Sequence, residues 1–420
     1  MSSTIPIGPS EEYGSKHAQH KSYLLKAPYR VMSLAKIYDG GEQDAIDVFA
    51  KIRWGEIGRQ ACPRCGELAQ HYWTARYKRW KCRACEKQFT VFSDTYLHAT
   101  KLKPVTLLSL FFHFVEAKDS VSAREVSGLH KLNHQTTHVT YLKLREAIRA
   151  SMLKEPLLTG RVQADAAYFI KYLRPGNTGT GPSFAAQQKQ KNAGLDESAK
   201  APRQAHHPDM HALVVFVQAG AQGHRRYKVA RIKTETQVNL LDIGQNFCVS
   251  AATLTTDQHS GYDLLTGAVA EHRVINHRQH FQDEDGNNTN LAEGFFSRLR
   301  HTYRGAWHRT SVQYLELYGW EFAWRLTMVG ASNDEQLKDL LTRLLTQTRP
   351  PDLIDYWRKK RDAPPADPNE AGMLVEIPKE NVPTRRGRPV KSALRKKTEP
   401  RKKRAYTKKG NAAPIDKDAT

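Results

Sequence analysis

Apolar residues recur at helical spacing over much of the first third of the chain. Within residues 42–54, Ala45, Phe49 and Ile52 fall on one face of a predicted helix. A second helix is predicted for the run VTLLSLFFHFVEA, because Pro104 directly before it is favourable at a helix start. Two more helical segments, SAREVSGLH and NHQTTHVTYLKLREAIRASM, complete a largely helical N-terminal part.

From about residue 160 the pattern changes to short runs rich in β-forming residues. They are RVQADAAYFIKYL, HALVVFVQAG, YKVARIKT and AATLTTD, with a helix predicted at 236–247 before the fourth run. Residues 174–209 are too polar and too rich in Gly, Gln and Pro for a core element, so we predict an inserted loop there. Further helical patterns continue to about residue 346. Strands interleaved with helices predict a mixed α/β sheet domain.

The length and composition are consistent with two or three domains, since 39% of the 420 residues are hydrophobic. The predicted divisions are a polar leader (1–41), a helix with a cysteine module (42–100), a helical domain (101–155), the α/β domain (156–346) and a disordered basic tail (347–420).

The formal net charge of +22 favours a polyanionic partner, either nucleic acid or an anionic membrane. No apolar run approaches the roughly 20 residues that a membrane span requires. The N-terminus also lacks the basic and then apolar layout of a secretory signal. We therefore expect a protein of the cytoplasm, associated with the nucleoid and not with a membrane.

Four of the five cysteines are paired by their spacing. CPRCG and CRAC together form C-x2-C-x16-C-x2-C, a spacing typical of a zinc ribbon with four thiolate ligands. The predicted ligands of a structural Zn²⁺ are Cys62, Cys65, Cys82 and Cys85. The basic residues between the two pairs could contact DNA or simply be a solvated charged strand, and the spacing does not decide between these readings.

Two other segments carry patterns of DNA-binding elements. The helical pair in residues 118–148 has a helix-turn-helix layout that would present Gln135 and Thr137 to a groove, although any packed pair of helices gives a similar pattern. In the tail, RRGRPVK contains the core of an AT-hook, with Arg386 and Arg388 suited to a narrow minor groove. A polybasic solubility tail is the alternative for that segment.

Three acidic residues are candidates for a magnesium site. Asp165 lies within the first β-run, Asp257 ends the fourth, and Glu293 follows after 35 intervening residues on a segment of helical spacing. Carboxylates at strand ends and on a helix could hold two Mg²⁺ ions for attack on a phosphodiester. Each acid also has a purely structural alternative. Asp165 could be an edge-strand residue, Asp257 a turn or helix-cap residue, and Glu293 part of a capping box that starts at Asn290.

The motifs resemble those of a known family, the bacterial insertion-sequence DDE transposases with an N-terminal zinc ribbon (the IS-fifteen-ninety-five type). DVFAKIRWGEIGRQACPRCG and CRACEKQFTVFSDTYL are similar to the ribbon, and GRVQADAAYF and LTTDQHSGYDLL to the two aspartate motifs. VINHR resembles the short strand that follows, and NNTNLAEGFFSRLRHTYRGAW the glutamate helix. The likeness extends over about 42–346, apart from the insertion. In this chain Ala166 stands where the family usually has an acidic residue.

This resemblance implies an RNase H-like catalytic domain with a mixed five-stranded sheet. It implies that Asp165, Asp257 and Glu293 bind two Mg²⁺ or Mn²⁺ ions, which serve hydrolysis at the transposon ends and then attack of the 3′-hydroxyl on target DNA. It also places Arg300, seven positions after the glutamate, against end phosphates. Together with Arg298 and Asn290, it forms the predicted DNA contact of this helix.

The leading hypothesis is thus a DNA transposase that binds double-stranded DNA, both transposon ends and target, as a homodimer or higher oligomer. The alternative is a catalytically inactive, transposase-derived regulator that binds DNA through its ribbon and helix-turn-helix. A weaker third hypothesis is a metal-dependent nuclease of the same fold. The presence of all three acids favours the enzyme, because a regulator has no use for them.

Overall fold

A computed structural model of the protein describes residues 29–56, 58–170, 210–220, 224–275, 288–307, 310 and 312–348. Most of the predicted leader, the insertion at 174–209 and the tail with Arg386 and Arg388 therefore lie outside the described residues. None of the helices in the described ranges is long and apolar enough to cross a membrane.

The N-terminal part consists of one helix and two small antiparallel sheets. Helix α1 spans Leu34–Trp54 and is broken at Gly41, whose φ of 71° is outside the helical range. The ribbon strands are β1 (Gln60–Ala61), β2 (Leu68–Ala69), β3 (Tyr72–Thr74), β4 (Arg79–Lys81) and β5 (Gln88–Phe89). Because the helix begins at Leu34 and buries Ile37, the last eight residues of the predicted polar leader (1–41) belong to this helix.

Three helices follow the ribbon, close to the predicted positions. They are α2 (Pro104–Glu116), α3 (Ala123–Leu129) and α4 (His134–Lys154). The side chain of Asn133 caps α4 by accepting the N–H of Gln135 at 2.8 Å. The short turn between α3 and α4 lets the two helices pack against each other.

The second half of the chain is built on a five-stranded sheet. Its strands are β6 (Arg161–Ile170), β7 (Met210–Ala219), β8 (Arg225–Ile232), β9 (Thr253–Asp257) and β10 (Glu271–Ile275). The order is β10-β9-β6-β7-β8, with β6–β7 and β7–β8 antiparallel and β6–β9 and β9–β10 parallel. The predicted mixed α/β architecture is confirmed.

Helices pack around this sheet. They are α5 (Gln237–Phe247), α6 (Asn290–Gly305), α7 (Leu315–Thr327) and α8 (Asn333–Leu345). Helix α7 approaches the sheet closely at Gly319, where a Cβ atom would lie 2.9 Å from side-chain atoms of Leu213 and of Val229. This contact explains the glycine in the middle of helix α7, because the close approach leaves no room for a side chain.

A buried ion pair joins the N-terminal helices to the sheet domain. Nε of Arg145 on α4 lies 2.6 Å from Oε2 of Glu321 on α7, and both side chains are at most 1% exposed. Arg325 adds a second bond to the same carboxylate at 2.9 Å. Burial opposes ionisation of Glu321, but the two arginines outweigh it and lower the pKa of this carboxyl. The two parts therefore share a charged contact that requires both partners.

Candidate active site and cysteine cluster

The four predicted zinc ligands lie together in the ribbon. Their sulfur atoms are all within 4.8 Å of one another, and the Cys62–Cys85 and Cys65–Cys82 sulfur pairs are each 3.6 Å apart. A tetrahedral zinc ion with Zn–S bonds of about 2.3 Å separates its sulfur ligands by about 3.8 Å. The cluster thus fits one structural Zn²⁺ with almost no rearrangement.

Each pair of cysteines sits on a tight turn with the same backbone bonds. The N–H of Cys62 donates to Glu67 O and that of Cys82 to Lys87 O, both at 2.9 Å. The residue after the second cysteine takes a left-handed conformation in both turns, with φ 77° at Gly66 and 59° at Glu86. These local hydrogen bonds therefore hold each pair of thiols together in the folded ribbon.

The crowded thiols also influence one another's ionisation. Burial opposes ionisation of Cys62, but the N–H groups of Cys65 and Arg64 outweigh it and lower its pKa to about 7. The N–H of Glu67 favours the thiolate of Cys65, yet the neighbouring thiols outweigh it and raise its pKa to about 12. A cation is needed before all four can be thiolates together, which is the form that zinc binds.

The first predicted carboxylate, Asp165, lies in the centre of the large sheet. It sits on β6, and its Oδ1 accepts the N–H of Ala166 at 2.7 Å. Burial raises the pKa of this carboxyl to about 7, and repulsion from Asp257, Glu235 and Glu293 adds to the shift. Asp165 thus lies within electrostatic reach of both other predicted acids and of a fourth, Glu235.

Strand register places Asp257 beside Asp165. The parallel pairing of β6 with β9 ends at Gln163 and Thr255, and each aspartate comes two residues after the last paired residue on its strand. Residues two apart on a strand face the same side of a sheet, so the two carboxylates leave adjacent strands on one face. Oδ1 of Asp257 is buried.

Glu293 is held on the exposed side of α6. Its Oε1 accepts the Thr289 hydroxyl at 2.8 Å, and Thr289 is the N-cap residue of the helix. The predicted capping box starting at Asn290 is wrong, because Asn290 is already the first helical residue and its backbone N–H donates to Oδ1 of Asn288 at 3.2 Å. Local hydrogen bonding thus orients Glu293 while leaving it exposed.

The start of α6 is fixed to β6 by Gln163, a residue that the sequence analysis missed. Its Oε1 accepts the N–H of Leu291 at 2.8 Å, and its Nε2 donates to Oδ1 of Asn288 at 3.3 Å. Gln163 is two residues before Asp165 on the same strand face. One side chain therefore couples the strand of the first aspartate to the helix of the glutamate. Only its position at i−2 from Asp165 could have indicated this role.

The structure brings the three predicted acids into one region, but more loosely than the cysteines. Across the described ranges, the cysteine cluster is the only group of three or more such ligands whose atoms all lie within 4.8 Å. The carboxylates of Asp165, Asp257 and Glu293 therefore do not form a group as compact as the four thiols.

The predicted DNA-contacting residues fall into three groups. Asn290, Arg298 and Arg300 are exposed on α6, and Arg300 lies seven positions after Glu293, on the same side of the helix. Gln135 is exposed at the start of α4. The prediction for Thr137 is wrong. This residue is 0% exposed because its side of α4 packs into the helical core, so it is not presented to a groove.

Comparison with protein families gives two matches. The ISXO2-like transposase domain matches residues 157–327, which include Asp165, Asp257 and Glu293. The transposase zinc-ribbon domain matches residues 40–88, which include the four cysteines. Together they cover just over half of the chain.

The sheet domain with its acidic edge and the metal-binding ribbon are thus those of a DNA transposase. The chain belongs to the insertion-sequence DDE transposases that carry an N-terminal zinc ribbon, as its motifs predict. No curated protein matches it.

Proposed function

We propose that this protein cuts the ends of an insertion sequence and joins them to target DNA, using two divalent metal ions. The observation that carries the proposal is the position of the two aspartates, each two residues beyond the end of the β6–β9 pairing. With Glu293 projecting from α6, they form a group of carboxylates at one edge of the sheet.

The strand arrangement supports an RNase H-like domain. Three consecutive antiparallel strands, β6 to β8, are followed by two parallel strands added on the other side of β6. This order places the first aspartate on the central strand and the second on its neighbour. A site at the carboxyl edge of these strands is where open α/β sheets commonly bind ligands.

The chemistry of the donors fits Mg²⁺ or Mn²⁺. Carboxylate oxygens are hard ligands, and the carboxyls of Asp165 and Asp257 belong to adjacent strands. Burial and repulsion from the neighbouring acids raise the pKa of Asp165, so its ionised form is costly until a cation compensates the charge. Two bound divalent ions would activate an attacking oxygen and stabilise the leaving oxygen of a phosphodiester.

The chain's own side chains would position the DNA. Arg298 and Arg300 are exposed on the helix that carries Glu293, where they can contact phosphates next to the cleaved bond. Gln163 holds the start of this helix against β6 and so keeps Glu293 at the acidic edge. End recognition is assigned to the ribbon and to helices α3 and α4, with Gln135 as the proposed groove contact and the basic tail as an additional minor-groove contact.

Two partners are proposed for the reaction, the transposon ends and the target duplex. Two ends must be cut and joined together, so we propose that the protein acts as a homodimer or larger assembly on DNA. The regulator hypothesis is not favoured, since both the ribbon and the complete acid set lie within transposase-family domains.

The test is strand joining by purified, zinc-loaded protein with Mg²⁺ or Mn²⁺ and a pre-cut end oligonucleotide. Asp257→Asn should abolish joining to plasmid, by at least about 10³-fold, because it removes a ligand of both proposed ions. The control is Glu271→Gln, an exposed acid at the opposite end of the β9–β10 pair, which should join normally. Undiminished joining by Asp257→Asn would refute the assignment. DNA binding without joining by the wild type would favour the regulator.

A further inference from the structure

A fourth acidic residue, Glu235, lies at the same edge of the sheet as the aspartates. It follows β8, which runs parallel to β6 because both are antiparallel to β7. Strands β6, β8 and β9 therefore end at one edge, and Glu235 lies there, directly before α5. Its side chain is only 10% exposed, although it is an acid in a region that already holds two aspartates.

The loop after Asp257 closes tightly over this residue. Gly261 packs so closely that a Cβ atom would lie 2.8 Å from the carbonyl oxygen of Glu235. Nδ1 of His259 is 3.7 Å from Oε2 of Glu235, but it accepts the N–H of Gly261 at 3.1 Å. In its neutral form, therefore, the His259 ring does not donate to Glu235 through this atom. The backbone N–H of Glu235 donates to the Tyr168 hydroxyl at 3.4 Å, and the same hydroxyl also hydrogen-bonds the Glu235 carboxylate.

A buried hydroxyl points to a ligand at this place. Tyr262 is 1% exposed, and its hydroxyl has no hydrogen-bond partner among the described residues. Burial raises the pKa of this phenol well above its ordinary value, and repulsion from Glu235, Asp165 and Asp257 adds to the shift. The hydroxyl thus lies within electrostatic reach of three carboxylates and bonds none of them. A buried hydroxyl without a partner is costly and usually indicates a missing water, ion or ligand.

We propose that Glu235 is a fourth carboxylate ligand of the metal centre, and that the Tyr262 hydroxyl donates a hydrogen bond to one of these carboxylates when the centre is loaded. The inference rests on the proposed function, since it adds a ligand to the same site. Three carboxylates leave one charge of two divalent ions uncompensated, and a fourth balances it. Oxygen donors are the ligands that Mg²⁺ and Mn²⁺ prefer.

The experiment measures Mn²⁺ binding to the full-length, zinc-loaded protein without DNA, by electron paramagnetic resonance and by calorimetry. We expect Glu235→Gln to weaken Mn²⁺ binding about tenfold or more, and Tyr262→Phe to weaken it about threefold to tenfold. Asp257→Asn is the positive control for ligand loss. Glu271→Gln is the matched negative control, because it removes an exposed carboxylate from the opposite edge of the sheet.

Melting of the metal-free proteins separates a ligand from a structural residue. Glu235→Gln removes repulsion and Tyr262→Phe removes an unpartnered hydroxyl, so both should melt at or above the wild-type temperature without Mn²⁺. Both should also lose part of the rise in melting temperature that Mn²⁺ gives the wild type. If Glu235→Gln does not fold, Tyr262→Phe decides the question by the same two measurements.

The outcomes are distinguishable. Wild-type Mn²⁺ affinity in Glu235→Gln and Tyr262→Phe, with loss in Asp257→Asn, overturns the fourth ligand and leaves the proposed function standing. Equal Mn²⁺ binding in all variants, Asp257→Asn included, overturns both. Weakened binding in Glu235→Gln and Tyr262→Phe with normal binding in Glu271→Gln supports the inference.

Discussion

The cysteine cluster and the acidic edge of the sheet are two metal-binding groups assembled in opposite ways. The cysteines come from two short turns, 24 residues from first to last, whose backbone bonds hold the sulfur atoms at near tetrahedral spacing. The carboxylates come from two strands and a helix that are far apart in the sequence, and they stand further from one another. Local geometry prepares the first group, and strand register prepares the second.

The difference has an energetic side. The ribbon is small, and its fold depends on the ion that its thiols hold. The sheet is held by many buried apolar side chains, while burial and repulsion make ionisation of Asp165 costly. Removing metal should therefore unfold the ribbon, while it should leave the sheet folded but strained by repulsion. The following predictions test that contrast, from the largest effect to the smallest.

The largest effect is expected from Cys82→Ser. Structural zinc contributes about 10–16 kcal/mol of apparent binding energy in small zinc domains, so losing one ligand should release the metal and unfold the ribbon. Zinc content by atomic absorption should fall from one per chain to nearly none, and the emission of Trp73 and Trp80 should shift as they become exposed. Cys248→Ala, which removes the buried thiol outside the cluster, should keep its zinc. Full zinc content in Cys82→Ser would show that the ribbon does not need all four thiolates to hold its metal ion.

The opposite behaviour is expected at Asp165 in Mg²⁺-free buffer. The folded-state pKa of about 7 lies above the ordinary value of 3.8, so the folded protein holds a proton that the unfolded chain has released. Stability should therefore fall as the pH rises from about 4 to about 7, by up to about 4 kcal/mol, and stay lower above that range. Asp165→Asn should remove this loss.

Urea unfolding of wild type and Asp165→Asn across pH 4–8 measures the effect. The advantage of the variant should grow with pH and level off above pH 7, whereas Glu271→Gln should follow the wild type. A difference in the free energy of unfolding that stays constant with pH would show that ionisation of Asp165 does not destabilise the folded sheet.

A smaller effect is expected at Gln163, which links the two long-range parts of the acidic site. Gln163→Ala removes the acceptor of the Leu291 N–H and the donor to Asn288, so the free energy of unfolding should fall by about 1–2 kcal/mol. Strand joining should fall about tenfold as Glu293 loses its position, with unchanged affinity for end DNA.

Gln218→Ala is the matched control for this prediction, because that amide lies on β7 and bonds the Thr159 region away from the acids. Equal strand joining by the Gln163 and Gln218 variants would mean that the hydrogen bonds between Gln163 and the start of α6 are not required to position Glu293.

The smallest effect concerns the two left-handed residues of the ribbon turns. Gly66→Ala should cost about 1–2 kcal/mol, whereas Glu86→Gly should gain up to about 1 kcal/mol, since only glycine adopts this conformation without strain. Thermal melting and resistance of the zinc to a chelator measure both. Glu67→Gly, whose φ is not positive, should be neutral or slightly destabilising. A loss of stability in Glu86→Gly would mean that the left-handed conformation of residue 86 does not strain the turn.

Features encoded over a few residues were predictable from the sequence. The spacing of the cysteines gave their cluster, and the apolar periodicity gave helix α8 at 333–345. Alternation along RVQADAAYF placed Asp165 on a strand, and the end of the fourth run placed Asp257 at a strand terminus. These predictions need only the side-chain period of one element.

Features that depend on which elements become neighbours were not predictable. The roles of Gln163 and Glu235 follow from the strand order, which brings β9 beside β6 and ends β8 at the same edge. Thr137 has the polarity of a surface residue, yet packing of the helices buries it. The start of α1 at Leu34 was hidden by Gly40 and Gly41, which interrupt the periodicity of an otherwise helical segment.

The short pairing of β6 with β9 has a mechanical consequence. Only three residue pairs join these strands, while β6 stays bonded to β7 as far as Ile170 and β9 to β10 as far as Asp257. Beyond these three pairs β6 and β9 are no longer hydrogen-bonded to each other, and one aspartate lies on each of the two separate strands. We expect a small rotation at the three-pair β6–β9 contact to change the distance between the two carboxylates while the β6–β7 and β9–β10 pairings stay intact. The register of this one short strand pair therefore determines how far apart the two acids lie.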